Sequence, residues 1–154
     1  LDSERDWGHA KDYVAMQWLM LQQKKPKDFV IATGRTETVR KFIEISAQKL
    51  KWYKEPNGPS IIWEGKGVNE VGRRADNGNI VIKIDKRYFR PTEVNELLGD
   101  PSKAQKELGW TPKIDLEDLI AEMILFDKKE AKKELILKES GINIENYFES
   151  PPNN

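Results

Sequence analysis

Two arginines and a glutamate recur at three-residue intervals in one short stretch, at Arg87, Arg90 and Glu93. The segment that holds them, RYFRPTEV, lacks the periodicity of a buried strand, so we expect an irregular binding arm. Arginine recognises phosphate through a planar fork of N–H donors, and a nearby carboxylate can accept hydrogen bonds from ribose hydroxyls or from a base edge. These residue types therefore indicate a nucleotide site. The alternative is that the three side chains only pair with one another on the surface.

Other groups that could perform chemistry are few. His9 is the only histidine and there is no cysteine, so a zinc or iron site, which needs several such ligands, is excluded. A catalytic triad would have to use His9, and no nucleophile elbow accompanies it. The GKG of residues 65–67 lacks the eight-residue pattern of a phosphate-binding loop. Arg5 is a further candidate, because it lies in an extended segment directly before an apolar helix.

Length and charge limit the class of protein. The 154 residues suit one domain, and 26 basic residues balance 26 acidic ones, so no general attraction to nucleic acid or to an acidic membrane is expected. No apolar run approaches the roughly 20 residues of a membrane span, and no signal-peptide pattern is present. We expect a soluble cytoplasmic protein. The chain begins at Leu1 without Met, which fits a processed product, a domain or a fragment.

Periodicity and end signals predict an α/β fold with three or so short strands and four helices. Helices are expected over residues 9–23, from a cap at Thr36 or Thr38 to about residue 50, from residues 100–102 to Gly109, and from Asp115 onward. Strands are expected over residues 28–33, 60–64 and 80–85. Residues 51–60 are predicted to be a loop, and residues 65–79 a mobile surface loop with solvated arginines. The first helix, rich in large apolar residues, is expected to be buried on much of its circumference.

Several segments, taken in order, resemble one known family. They are RDWGHAKDYV, MQWLMLQ, DFVIATG, WEGKGVNE, RYFRPTEV and LLGDPSKAQKELGWTPKI, and they resemble the C-terminal half of the GDP-mannose 4,6-dehydratases, which are extended short-chain dehydrogenases/reductases. The similarity covers about residues 3–130. The RDWGHAKDY and RYFRP-x-E segments are specific to these enzymes, whereas the Arg-Asp-aromatic and Asp-Pro-x-Lys-Ala-x-x-x-Leu-Gly-Trp segments are shared with the wider group of nucleotide-sugar epimerases and dehydratases.

The resemblance implies a fold and a function. The fold would be the C-terminal substrate-binding part of an NAD(P)-binding, Rossmann-type enzyme, with residues 1–135 holding the GDP-sugar and residues 136–154 forming a polar tail. The reaction of the family is a lyase conversion of GDP-mannose to GDP-4-dehydro-6-deoxy-D-mannose, on the route to GDP-fucose. NADP and the catalytic groups would belong to an N-terminal Rossmann half that this chain lacks, and no metal would be needed. The full-length enzyme is expected to form a homo-oligomer.

The resemblance also implies roles for single residues. Arg5 would contact the diphosphate or the ribose, and Arg90 and Glu93 would contact the diphosphate and the ribose. No catalytic residue is expected here, so the chain alone would be inactive. Two alternatives remain at this point, namely a non-catalytic nucleotide-sugar-binding or interaction module derived from the family, and a related GDP-sugar reductase or epimerase.

Overall fold

Six short strands and four helices form the part of the chain that the computed structural model describes, which is residues 1–88, 90 and 92–142. The strands are β1 (Glu4–Asp6), β2 (Thr36–Thr38), β3 (Ile61–Glu64), β4 (Val71–Arg74), β5 (Ile80–Lys83) and β6 (Glu96–Leu97). The helices are α1 (Ala10–Leu21), α2 (Val39–Lys49), α3 (Ser102–Leu108) and α4 (Leu116–Glu139). The predicted α/β class with four helices is confirmed.

The strands form two separate three-stranded sheets. In the first, the order is β2-β1-β6, with β1 antiparallel to β2 and parallel to β6. The register places Arg5 of β1 between Glu37 of β2 and Leu97 of β6. The second sheet is an antiparallel meander in the order β3-β4-β5. The parallel pairing means that the arm after β5 returns to the N-terminal strand.

The helix ends follow the signals in the sequence. The side chain of Thr38 accepts a hydrogen bond from the backbone N–H of Lys41 at 3.0 Å, so this residue caps α2. Asp115 caps α4 in the same way. Asp100 accepts from the backbone N–H of Ser102 at 2.9 Å at the start of α3. That helix ends at Gly109, whose φ of 64° is left-handed. The end signals at Thr38, Asp115 and Gly109 are confirmed, whereas α3 begins one residue later than predicted, with Pro101 rather than Asp100 at its N-cap position.

The main core lies between α1, α3 and the segment that follows α3. Met16, Ala104 and Trp110 are buried together, and the indole N–H of Trp110 donates to the backbone carbonyl of Asp12 at 3.0 Å. The buried carboxylate of Asp12 accepts from two further backbone N–H groups, those of residues 113 and 114, at 2.8 and 2.9 Å. One acidic side chain on α1 therefore fixes the connection from α3 to α4.

The predicted strand over residues 28–33 is wrong, because this segment is extended but pairs with no strand among the described residues. Its end is held by a side chain instead. The carboxylate of Asp6 accepts hydrogen bonds from the Thr33 backbone at 2.9 Å, the Thr33 hydroxyl at 2.7 Å and the Gly34 backbone at 2.9 Å. Val30 remains 53% exposed. Apolar composition correctly predicted that Phe29, Ile31 and Ala32 pack inward, but not that the segment lacks a paired strand among the described residues.

The predicted mobile loop over residues 65–79 is also wrong, because it contains β4, the central strand of the meander. Gly72 allows Trp63 and Ile82 to close over this strand, since a Cβ there would lie 2.9 Å from Trp63 Cζ3. The arginines of β4 are paired rather than solvated. Arg73 binds Glu64 at 2.8 Å, and Arg74 binds Asp76 at 2.6 Å. Glycine and charged residues hide the two-residue period that identifies a strand.

The predicted burial of α1 is wrong for one of its faces. Trp18 is 63% exposed and Leu21 is 78% exposed, whereas Met16 on another face is fully buried. Helix α4 continues through residue 136, where a polar tail was expected to begin, and ends at Glu139. Residues 143–154 lie outside the described part, as do Phe89 and Pro91. Within the described residues, no helix is both long and apolar enough to cross a lipid bilayer.

Candidate functional site

A cleft of about 720 Å³ lies between the N-terminal segment, the turn before β4 and the arm that follows β5. Its lining includes Arg5, Arg90 and Glu93, together with the carboxylates of Glu70 and Asp85. The structure therefore brings together Arg5, Arg90 and Glu93, whereas Arg87, the fourth residue that the sequence singled out, is not part of this lining. They come from two segments that are distant in the chain.

Arg5 holds the arm against the first sheet. Its Nη2 donates to Glu93 Oε1 at 2.6 Å and its Nη1 donates to the backbone carbonyl of Val94 at 2.9 Å. Next to it, the backbone N–H of Glu4 donates to the carbonyl of Asn95 at 2.7 Å. The Arg5 side chain remains 25% exposed at the cleft. One arginine on the central strand thus positions the arm and faces the space that a ligand would occupy.

Among the described residues, Arg87, Arg90 and Glu93 do not form with one another the ion pairs that the surface alternative supposed. Arg87 binds Asp85, with Nε 3.0 Å from Oδ2, and these hydrogen bonds hold the pKa of Asp85 below its usual range. Glu93 binds Arg5 rather than an arginine of the arm. Arg90 lines the cleft, and no carboxylate of the described residues forms an ion pair with it. One cationic side chain in the cleft is therefore not neutralised there.

An ion-pair network that sequence reasoning missed lies behind the cleft wall. Arg40, on the first turn of α2, forms a forked pair with Glu70 at 2.7 and 3.1 Å, and its Nε donates to Asp2 at 3.0 Å. The guanidinium lies 4.6 Å from the centroid of the Trp63 ring. The hydrogen bonds from Arg40 hold the pKa of Glu70 below its usual value, against the opposing effect of burial. Since Arg40 and Glu70 lie on different elements, no local pattern points to this pair.

The described side chains that line the cleft are of types that recognise anionic and hydroxyl-bearing ligands. Arg5 and Arg90 suit a diphosphate, and Glu93 suits a hydroxyl group. His9 lies elsewhere, where its Nδ1 accepts from the backbone N–H of Lys11 at 3.0 Å and caps α1. Its Nε2 lies 3.5 Å from Glu122. In the part of the chain that is described, no group of three or more histidines, cysteines or carboxylates could hold a metal ion.

The described residues do not form a glycine-rich site for a dinucleotide cofactor, because the turn from β1 to α1 contains a single glycine, Gly8. Such cofactors bind where a glycine-rich turn joins a strand to the N-terminus of a helix. Gly65, Gly67 and Gly72 lie in and around the hairpin from β3 to β4, not before one of the described α-helices. Helix α1 begins after His9, and α2 begins directly after the strand residue Thr38.

Comparison with known proteins gives consistent results at the level of sequence. Residues 1–123 match the family model described as GDP-mannose 4,6 dehydratase. The GDP-mannose 4,6-dehydratase of Yersinia enterocolitica is 47% identical over 160 residues, covering 97% of this chain and 41% of that protein. The human GDP-mannose 4,6 dehydratase is 48% identical over 127 residues, covering 82% of this chain and 32% of that protein. The chain thus spans less than half the length of these curated relatives.

Solved structures with low sequence identity share the fold. UDP-glucose 4-epimerase of Thermotoga maritima, solved with UDP-glucose, has a TM-score of 0.58 at 22% identity and covers 84% of this chain and 33% of that protein. The Bordetella bronchiseptica enzyme WbmG, solved with NAD and UDP, has a TM-score of 0.56 at 20% identity and covers 83% of this chain and 34% of that protein. The similarity places the chain in the fold of part of the extended short-chain dehydrogenases/reductases, as the sequence predicted.

Proposed function

This chain belongs to the GDP-mannose 4,6-dehydratase family, and we propose that it binds the GDP end of GDP-mannose as the substrate-binding portion of such a lyase. The proposal rests on one observation, which is that Arg5, Arg90 and Glu93 line the same cleft. Their types match the parts of a nucleoside diphosphate, since the two arginines suit the phosphates and the carboxylate suits the ribose hydroxyls.

The arrangement favours a ligand that is anionic at one end and rich in hydroxyl groups at the other. Arg90 offers a guanidinium that no described carboxylate pairs with, so a phosphate would supply its first counter-charge. Glu93 is held in place by Arg5 at 2.6 Å and keeps a second carboxylate oxygen for a ribose hydroxyl. Inorganic phosphate would offer no ribose hydroxyl to this second Glu93 oxygen. The cleft therefore suits a nucleotide better than inorganic phosphate.

We assign the cofactor and the catalytic groups to the part of the enzyme outside these 154 residues. NADP, when bound there, would accept and return the hydride of the reaction. An exposed apolar stripe on α1, made of Val14, Trp18 and Leu21, fits a packing surface for that part. The test is binding between this chain and the complementary part of the Yersinia relative. Trp18→Lys is expected to weaken that association while the thermal transition of the chain itself stays unchanged.

Calorimetric titration with GDP, with UDP as the control nucleotide, tests the binding proposal. Arg90→Ala is expected to weaken GDP binding by about 1.5–3 kcal/mol, the range for a lost charged hydrogen bond. Arg73→Ala is the matched control, because Arg73 pairs with Glu64 outside the cleft lining, and it should bind GDP like the wild type. Equal GDP affinity in Arg90→Ala and in the wild type would contradict the assigned role.

The titration also separates folding from binding. A chain that unfolds cooperatively but binds no GDP would contradict the proposed binding by these residues, and would mean that the site needs the remainder of the enzyme. A chain with neither a transition nor binding would mean that these residues do not form an independent domain. Selective, saturable GDP binding would support both the fold and the site.

A further inference from the structure

The wall of the cleft carries acidic groups that a diphosphate would have to approach. Asp2, Glu70, Asp85 and Glu93 all belong to the lining. Arg5 neutralises Glu93. Arg87 neutralises Asp85 from outside the lining. Two carboxylates then remain, those of Glu70 and Asp2, and both are bound by Arg40, which is not part of the lining.

The geometry of Arg40 fixes its partners as well as offsetting one of their charges. Both oxygens of Glu70 accept hydrogen bonds from the Arg40 fork, and the Glu70 side chain is only 11% exposed. The guanidinium rests on the ring of Trp63, whose indole N–H donates to Glu44 at 3.0 Å. Arg40 therefore has a fixed place, and Glu70 cannot turn its carboxylate into the cleft without giving up a forked pair.

We propose that Arg40 is a positioning residue for nucleotide binding, which orients Glu70 and offsets one of the two negative charges of Glu70 and Asp2, so that the cleft accepts a diphosphate. The inference rests on the proposed function, since it assumes that a nucleoside diphosphate is the ligand. Arg40 would not touch that ligand. It acts through the two carboxylates, and its effect should grow with the negative charge of the ligand.

A purely structural brace is the competing explanation, because Arg40 joins α2, the N-terminal segment, the turn before β4 and strand β3. The two explanations predict different effects on ligands that differ in charge. Loss of a structural brace would lower the affinities for GDP and for the neutral nucleoside guanosine by the same factor. An uncompensated carboxylate would lower the affinity for GDP and leave the affinity for guanosine almost unchanged, because only GDP carries phosphates.

The first variant is Arg40→Met, which removes the charge and retains a long apolar side chain over Trp63. One unit charge about 10 Å from the phosphates, at an effective dielectric constant of about 20, lowers affinity on the order of tenfold for each charge that the ligand carries. We therefore expect at least about a tenfold weaker Kd for GDP and less than about a twofold change for guanosine. Equal factors for the two ligands, or an unchanged GDP affinity in a folded variant, would overturn the proposal.

Removing the negative charge of Glu70 tests whether GDP affinity can be restored in the Arg40→Met variant. Arg40→Met with Glu70→Gln is expected to regain most of the lost GDP affinity, because the carboxylate that repels the phosphates is gone. If Arg40→Met alone shows no cooperative thermal transition, Glu70→Gln in the wild-type background decides. It should bind GDP at least as tightly as the wild type, and a tenfold loss would overturn the inference. A wild-type chain that binds no GDP would contradict the proposed function itself, so the two failures are distinguishable.

Discussion

The contact between Gly99 and Ala32 gives a sharp test of how the binding arm is anchored. Gly99 follows β6, where the arm leaves the cleft and enters α3. A Cβ placed on Gly99 would lie 2.2 Å from the Cβ of Ala32, and Ala32 is 4% exposed. The extended segment over residues 28–33 therefore packs directly on the backbone of the arm. We predict that Gly99→Ala destabilises the fold.

The size of the effect follows from the geometry. Two carbon atoms at optimal separation lie about 3.5–4.0 Å apart, so the 2.2 Å approach requires a movement of more than 1 Å. Both Cβ atoms are fixed to the backbone, and no change of rotamer can separate them. Overpacking of a core costs about 1–3 kcal/mol, and we expect the upper part of this range. For a chain of this size, about 2–3 kcal/mol corresponds to a fall in Tm of about 4–12 °C.

Urea and thermal denaturation followed by circular dichroism measure this loss, and a second substitution tests its cause. Ala32→Gly removes the opposing methyl group and should cost about 1 kcal/mol by itself. In the double variant, Gly99→Ala with Ala32→Gly, the clash is absent. The stability lost by the double variant should therefore be smaller than the sum of the losses of the two single variants. Gly58→Ala is the control, because its nearest neighbour, the Glu55 carbonyl, lies 3.3 Å away. Additive losses for Gly99→Ala and Ala32→Gly would refute the packing argument.

Two further predictions concern buried acidic side chains. Asp12→Ala removes a carboxylate that accepts two backbone N–H groups and should lower the free energy of unfolding by about 3 kcal/mol in urea denaturation, whereas the exposed Asp127→Ala should change it little. The second concerns pH. Because Arg40 lowers the pKa of Glu70 in the folded chain, the pair stabilises the fold above the usual value of 4.5 and loses this contribution as pH falls through the lower folded value. The stability difference between wild type and Arg40→Met should thus be constant from pH 7 to about pH 5 and shrink below it; a constant difference at pH 3 would contradict this.

The parts of the fold that the sequence predicted are those with local signals. Thr38, Asp115 and Gly109 mark helix ends through side-chain or backbone conformations that operate within a few residues. The errors concern contacts that depend on distant parts of the chain. Strand β4 owes its place to Gly72, around which residues of both neighbouring strands close, and no period in its own sequence indicates this.

The site was predictable in its residue types but not in its geometry. Side-chain chemistry pointed to Arg90 and Glu93, and resemblance to a family added a role for Arg5. Their shared cleft depends on the parallel pairing of β1 with β6, which brings together Arg5 and Glu93 although they are 88 residues apart in the sequence. Their contacts with GDP stay a prediction. Arg40 was missed because its partner Glu70 is 30 residues away on another element.

Arg5 can position the arm and bind a phosphate at the same time because a guanidinium has five N–H donors. Its Nη1 donates to the backbone carbonyls of Glu4 and Val94, and its Nη2 donates once to Glu93. Within the described part of the chain, these contacts use three donors and leave Nε–H and one Nη2–H. A phosphate that accepts from the remaining two need not displace Glu93. Binding would then add contacts to Arg5 and Glu93, which already hold each other, and this reduces the entropy lost when the ligand is held.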